Sequence, residues 1–399
     1  LPVCLIFLVL QLHNCLIILS FGIVTSMQYL KGLNSLRFFA AFLVLVAHAQ
    51  QNLTMLAIPH ATWGIFFLGA DAVHFFFVLS GFLLTYLAMG EFEREGTLNI
   101  RRFFLKRILR IWPLYYLCVL LGFIVLAIAV PYASNQVTPA FGVKQTWPYY
   151  LFFLPNYVAS IYHEGVGALF ALWSIGVEEQ FYLFFPFLML FIIKSKRPLL
   201  FITLIAVAYT TFYYLQFYRV ILIAASASAF INTLKFQFMF LGCAGAVLYR
   251  KKTAFVQAVL PYKKLTQVVL FALLGIILFV PLHFSYAVYC MLCGLLYVCI
   301  IINTFSSPVH AVNIERSWLS YLGAISYGIY MYHPYISYPL RYATIKFGWV
   351  HNLFAAAPFL YYAALLALTV VVAHLSYKYF ESWFLKMKKK EDGRNVHSA

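Results

Sequence analysis

Ten apolar runs, separated by short segments that carry most of the positive charge, dominate this 399-residue sequence. They fall at about 33–50, 73–90, 111–130, 173–193, 198–216, 233–249, 265–282, 284–303, 318–340 and 353–375. A bilayer-crossing helix needs roughly 20 apolar residues, so ten of them with their connectors use up nearly the whole chain. That leaves no room for a sizeable soluble domain and excludes a single-span anchor. Composition agrees: 64% of residues are hydrophobic and only 10% charged, where a soluble domain has about a quarter charged. The sequence therefore predicts an all-α fold, a polytopic transmembrane helical bundle of about 10 spans.

The formal net charge of +17 does not point to nucleic acid. Its basic residues cluster between apolar runs, and no nucleic-acid-binding motif accompanies them. Placing Lys31 inside puts all but five of the 28 Lys and Arg on that same side. The five are Lys144, Arg219, Lys235, Arg341 and Lys346. This bias predicts a multi-pass protein of the cytoplasmic (inner) membrane with both core termini cytoplasmic. The core is expected at 27–385, with a basic cytoplasmic tail at 386–399. Residues 1–26 form a separate apolar extension, read either as an upstream-start artefact ahead of Met27 or as an extra helix. Cys118, Cys243, Cys290, Cys293 and Cys299 lie in apolar runs, where thiols act as small hydrophobes. The Cys290/Cys293 pair lacks a second pair or a nearby His, so no metal site and no permanently bound cofactor are expected. The longest external connection, 131–172, is rich in Pro and aromatics, including Trp147, Tyr149 and Tyr150. Such a loop suits stacking on sugar faces, and equally an aromatic interfacial belt.

Polar groups inside spans are costly and are candidates for function. Arg37 and His48 are eleven residues apart, about three helical turns, so they share one face with roughly 16 Å of rise between them. His48 could take a proton from a hydroxyl, and Arg37 could hold an anionic group entering from the cytoplasm. A snorkelling Arg and a carbonyl-satisfied His fit the spacing too. Arg107 and Arg110, at i and i+3, point from one face of a helix start and could clamp phosphates, or serve as ordinary flanking charge. Trp173 through Tyr182, with Glu178 and Glu179, opens the fourth run at its expected outer end. Either carboxylate could orient a histidine or bind sugar hydroxyls, and placement at a positive helix N-terminus explains them as well. Asp71, His74, Ser80, Trp173 and His333 are further substrate-binding or structural candidates. Ser80-Gly81 could let another helix approach closely. Pro334 frees backbone carbonyls and could turn His333 toward a cavity.

Together these segments resemble the acyltransferase 3 family, integral-membrane enzymes that O-acylate carbohydrates and related molecules, over about 29–385. Arg37 followed by His48 resembles its Arg-x10-His element. Phe75 to Leu83 resembles FFxLSGFL, and Arg107 to Arg110 resembles Arg-x-x-Arg. Trp173 to Tyr182 resembles WSLxVEEQFY, and Ser326 to His333 resembles Ser-Tyr-x-x-Tyr-x-x-His. His74 stands where many members have Asp. The resemblance implies acyl-CoA, expected to be acetyl-CoA, as donor substrate near Arg107 and Arg110, with His48 as base. It also implies a glycan or similar hydroxyl acceptor arriving from outside past Glu178 or Glu179. Some members fuse a soluble esterase-like domain, so transfer here is expected to be finished by the membrane part or by a separate glycan-assembly partner. A non-catalytic lipid or sugar exporter is the competing reading.

Overall fold

The computed structural model describes residues 32–125, 143–161, 167–253, 256, 264–280, 283–306 and 316–387. The extension 1–26, residues 131–142 of the long connection and the tail from 388 onward lie outside them. Every regular element among the described residues is a helix. Eight helical stretches are long and apolar enough to cross a membrane. The other two expected runs are also helical. The seventh is the 16-residue helix Lys264–Phe279. The ninth is divided at Ile325 into Ser317–Ala324 and the longer Ser326–Lys346. This last helix has the length of a span, but its Ser, Tyr, His and Pro content lowers its hydropathy.

Six helices frame the interior. They are α1 (Leu33–Met55), α2 (Gly69–Glu95), α3 (Ile100–Ile124), α4 (Trp173–Lys194), α5 (Phe236–Arg250) and α6 (Ser326–Lys346). The α2–α3 hairpin is closed by side-chain chemistry legible in Gly96-Thr97-Leu98-Asn99. Gly96 takes φ 69° at the end of α2 and returns its N–H to Phe92. Asn99 then caps α3 by accepting from the Arg102 N–H at 2.9 Å, while its own N–H donates to Glu91. Such caps satisfy the orphan donors of a first turn.

In lipid there is no hydrophobic drive between helices, so close packing must hold them. The Gly81–Gly242 crossing of α2 and α5 supplies it. A Cβ at Gly81 would sit 2.0 Å from the Met239 carbonyl oxygen, and one at Gly242 would sit 2.0 Å from that of Val78. The expected close approach at Ser80-Gly81 is thus realised. Arg250, at the end of α5, then reaches over the Tyr86 ring at 3.9 Å, donates to the Tyr86 carbonyl and pairs with Glu93.

The second organising contact runs along α1. Asn34 meets Ser320, His48 meets His333, Asn52 meets Ser337 and Met55 meets Arg341. Each pair is 285 or 286 residues apart, so α1 and α6 lie side by side, parallel and in register. The break at Ile325 does not shift that register. Gly323 makes room for it, since a Cβ there would overlap the Asn34 carbonyl. Lipid-facing positions such as Leu183, Phe187 and Phe191 on α4 stay exposed and apolar. Trp63, Trp349 and Trp383 are exposed near helix ends, as aromatic belts require.

Candidate active site

Two polar layers lie inside the bundle, and α1 contributes to both. The first layer is cationic. Arg37 stands one turn into α1 and donates to Asn34 Oδ1 at 3.1 Å. Its charge acts on those of Arg107, Arg110 and Glu178. Arg107 is half-buried, its guanidinium about 6 Å from the ring centres of Phe103 and Tyr182, and its Nε has no hydrogen-bond partner. None of the three arginines forms an ion pair with a described residue. Three guanidiniums close enough to feel one another, none of them ion-paired with a described carboxylate, make a site suited to an anion.

The Trp173–Tyr182 segment builds the wall between the layers, and its positions have distinct tasks. Trp173 packs edge-on to Phe77 at 6.1 Å. Gly176 lets α4 close on Pro155, which a Cβ would strike at 2.7 Å. Gln180 exchanges amide hydrogen bonds with Asn156 and donates to the Phe153 carbonyl. Ser80 Oγ donates to Glu178 Oε1 at 2.9 Å, and Tyr182 donates to Glu178 Oε2 at 2.8 Å. Trp112 Nε1 donates to Glu179 Oε2 at 2.9 Å, leaving buried Oε1 without a partner. The roughly 100° between neighbouring helix positions thus sends the two carboxylates to different helices.

This corrects the expected depth of the glutamates. They do not mark an outer rim. Glu178 belongs to the arginine layer, feeling both Arg37 and Arg107. The reason lies just upstream, where the 3₁₀ turn Gly167–Leu172 is buried at Ala168, Leu169, Ala171 and Leu172. The chain therefore enters the bundle before Trp173, and the apolar stretch runs from Gly167 to Lys194.

The second layer holds two histidines. His48 Nδ1 and His333 Nε2 are 2.8 Å apart. Their rings are inclined by only 27° with centroids 4.8 Å apart, close to what two imidazoles joined end to end by one hydrogen bond require. His333 is 1% exposed, and its Nε2 faces His48. His48 is only partly buried. His333 Nδ1 lies 2.6 Å from the Tyr330 carbonyl. The Tyr330 side chain is itself fixed, donating to the Ala171 carbonyl at 2.9 Å and sharing a 2.7 Å hydrogen bond with Ser174 Oγ. Beyond this layer, near the far end of α1, a cleft of about 400 Å³ is lined by Met55, Thr344, His351 and Asn352 among others.

Two candidates stand apart from these layers. Asp71 accepts from Tyr289 at 3.0 Å. His74 stacks on Phe238 at 4.2 Å. Residues not singled out from sequence also enter: Tyr182, Trp112, Ser174, Tyr330 and Glu381. Glu381 closes the π-turn Tyr377–Glu381, accepts from Ser376 and reaches Arg110 with its charge. A lone acid among the aromatics from Tyr377 to Trp383 was the available signal.

An all-helical bundle with a cationic layer and a hydrogen-bonded histidine pair inside it defines a polytopic membrane protein equipped for polar chemistry within the bilayer. A family model described as "Acyltransferase domain" matches residues 30–378, and the chain belongs to that family. It is 30% identical over 179 residues to O-acetyltransferase OatA of Staphylococcus aureus (strain NCTC 8325 / PS 47), covering 43% of this chain and 27% of that protein. It is 27% identical over 390 residues to Peptidoglycan O-acetyltransferase OatA of Listeria monocytogenes, covering 90% of this chain and 56% of that protein. The chain thus spans little more than half the length of the second relative and less of the first. No solved structure matches it.

Proposed function

We propose that this chain is a membrane O-acyltransferase that moves an acyl group, acetyl first among them, from cytoplasmic acyl-CoA to a hydroxyl of an extracytoplasmic glycan. The observation that carries this reading is the pairing of the two layers on one helix. Arg37 belongs to a cationic layer in which none of the three guanidiniums is ion-paired with a described carboxylate, and His48, about 16 Å further along α1, is only partly buried. Arg37, Arg107 and Arg110 hold the donor's phosphates at the cytoplasmic side. The thioester reaches toward His48. The acceptor arrives from the opposite side, where the cleft beside Thr344, His351 and Asn352 offers polar groups.

His48 removes the proton from the acceptor hydroxyl as its oxygen attacks the thioester carbonyl. The C–S bond breaks as the ester forms, and the proton on His48 passes to the departing thiolate. General base catalysis of this kind contributes roughly 10²–10⁴-fold. Membership of the acyltransferase family and the names of both relatives support the reaction type. The name of the Listeria relative supports peptidoglycan as the acceptor class.

The test compares base-labile acyl esters on surface glycans by NMR in a deletion strain, with the gene restored, and with His48→Ala at matched membrane abundance. Esters present only with the restored gene are the expected result. Equal esters in the deletion and restored strains overturn the function, and full restoration by His48→Ala removes His48 as base.

A further inference from the structure

We propose that His333 is a positioning residue that fixes His48 in one tautomer, with the proton on Nδ1 and the lone pair on Nε2. It rests on the reading of His48 as the base. The argument begins with Pro334. In a helix the carbonyl of residue 330 accepts the N–H of residue 334, and proline has none. The Tyr330 carbonyl is therefore left open inside the membrane, where an unsatisfied backbone group costs several kcal/mol, of the order of a lost hydrogen bond or more.

His333 Nδ1 occupies that vacancy at 2.6 Å. A carbonyl oxygen can only accept, so Nδ1 of His333 carries the hydrogen. A neutral imidazole with its proton on Nδ1 presents a lone pair at Nε2. That Nε2 is 2.8 Å from His48 Nδ1, so His48 Nδ1 carries the hydrogen of this second bond. The chain of assignments ends at His48 Nε2, which is left as the acceptor. Tyr330 cannot swing its carbonyl away, because its hydroxyl is tied to Ala171 and Ser174.

The arrangement also sets where the proton goes. When His48 Nε2 takes a proton from a hydroxyl, the imidazolium keeps its Nδ1–H directed at the His333 lone pair and shares its charge with the second ring. The Tyr330 carbonyl can accept no proton in exchange, so the relay is closed at that end. The proton returns by His48 Nε2, where the leaving thiolate can receive it. Orientation of a catalytic histidine through its other nitrogen is a recurring device, here built from a second histidine and a proline-freed carbonyl.

The test uses the full chain in lipid nanodiscs, with acetyl-CoA as donor and oligosaccharide fragments of the host cell wall as acceptor. His333→Met removes the acceptor for His48 Nδ1–H, while His333→Gln places an amide oxygen near it. His333→Met is expected to lower kcat about 10²-fold with KM for acetyl-CoA unchanged, and His333→Gln to recover most of the loss. Ring-¹⁵N spectra of histidine-labelled protein, assigned by subtraction of His48→Gln, read the tautomer directly. Wild type is expected to show His48 with a protonated Nδ1 and a bare Nε2, and His333→Met to lose that bias. Pro334→Ala returns an N–H to the Tyr330 carbonyl and is expected to weaken the bias without altering either histidine. Equal kcat for the Gln and Met variants, or an unchanged His48 spectrum in His333→Met, overturns the proposal. A wild-type spectrum with Nδ1 protonated and no transfer to any acceptor leaves the tautomer assignment standing and removes the acyltransferase reading instead.

Discussion

Gly81→Ala tests whether the helix crossing that holds the bundle also holds the site. The added Cβ would lie 2.0 Å from the Met239 carbonyl oxygen and 2.8 Å from its carbon. Both atoms are backbone, so no side chain can rotate aside. Contacts under 3.0 Å are essentially never seen for real Cβ atoms, so α2 and α5 must separate locally by about 1 Å, and such overpacking costs about 1–3 kcal/mol. The neighbouring residue is Ser80, whose Oγ is 2.9 Å from Glu178. A shift of about 1 Å breaks that hydrogen bond and misplaces the wall beside Arg107, a displacement that can cost roughly 10²-fold in rate. Detergent-solubilised protein is heated and the monomer recovered by gel filtration gives a thermal midpoint; surface ester content gives activity. Gly81→Ala should lower both, the midpoint by several degrees. Gly275→Ala, where a Cβ meets nothing within 4 Å, controls for the backbone effect and should be neutral or stabilising by up to about 1 kcal/mol. A Gly81→Ala protein with wild-type midpoint and wild-type ester content refutes the coupling of crossing and site.

The remaining expectations concern the polar groups around that crossing. Trp112→Phe keeps the ring but removes the donor to Glu179 Oε2, whose other oxygen already has no partner. It should cost about 1–3 kcal/mol and at least tenfold in ester formation, and Glu179→Gln should make the Trp112 change much milder in a double-mutant cycle. Strictly additive losses would mean that the two side chains act separately. Arg250→Lys keeps the charge but not the fork that joins Glu93, the Tyr86 carbonyl and the Tyr86 ring. It should lower the thermal midpoint by the equivalent of about 1 kcal/mol with KM for the donor unchanged. A raised KM would instead place Arg250 at the donor site.

The sequence made the architecture legible because the bilayer imposes one rule on every span, and apolar length with basic flanks reads it directly. The same regularity made Arg37 and His48 legible as one face of a helix, since eleven residues is close to three whole turns. It hid the depth of Glu178. Apolar length counts a span from its first continuous run, whereas the chain here is already inside the bundle at the 3₁₀ turn Gly167–Leu172. That turn reads as loop because its glycine and small residues carry no helical period. The partner of His48 was hidden for a different reason. Periodicity relates residues within a helix, and His333 lies 285 residues away on the ninth run, whose pairing with the first no pattern within either run reveals. Pro334 did announce an open carbonyl nearby. What one chain could not say is which donor fills it. The parallel register of α1 with α6 and the short helix before it, set by Asn34–Ser320 at one end and Asn52–Ser337 and Met55–Arg341 at the other, leaves His333 between that carbonyl and His48. The Ser, Tyr, His and Pro content that makes Ser326–Lys346 more polar than its neighbours is therefore the polarity the histidine layer needs, and the most polar span is where the chemistry of such a bundle should be sought.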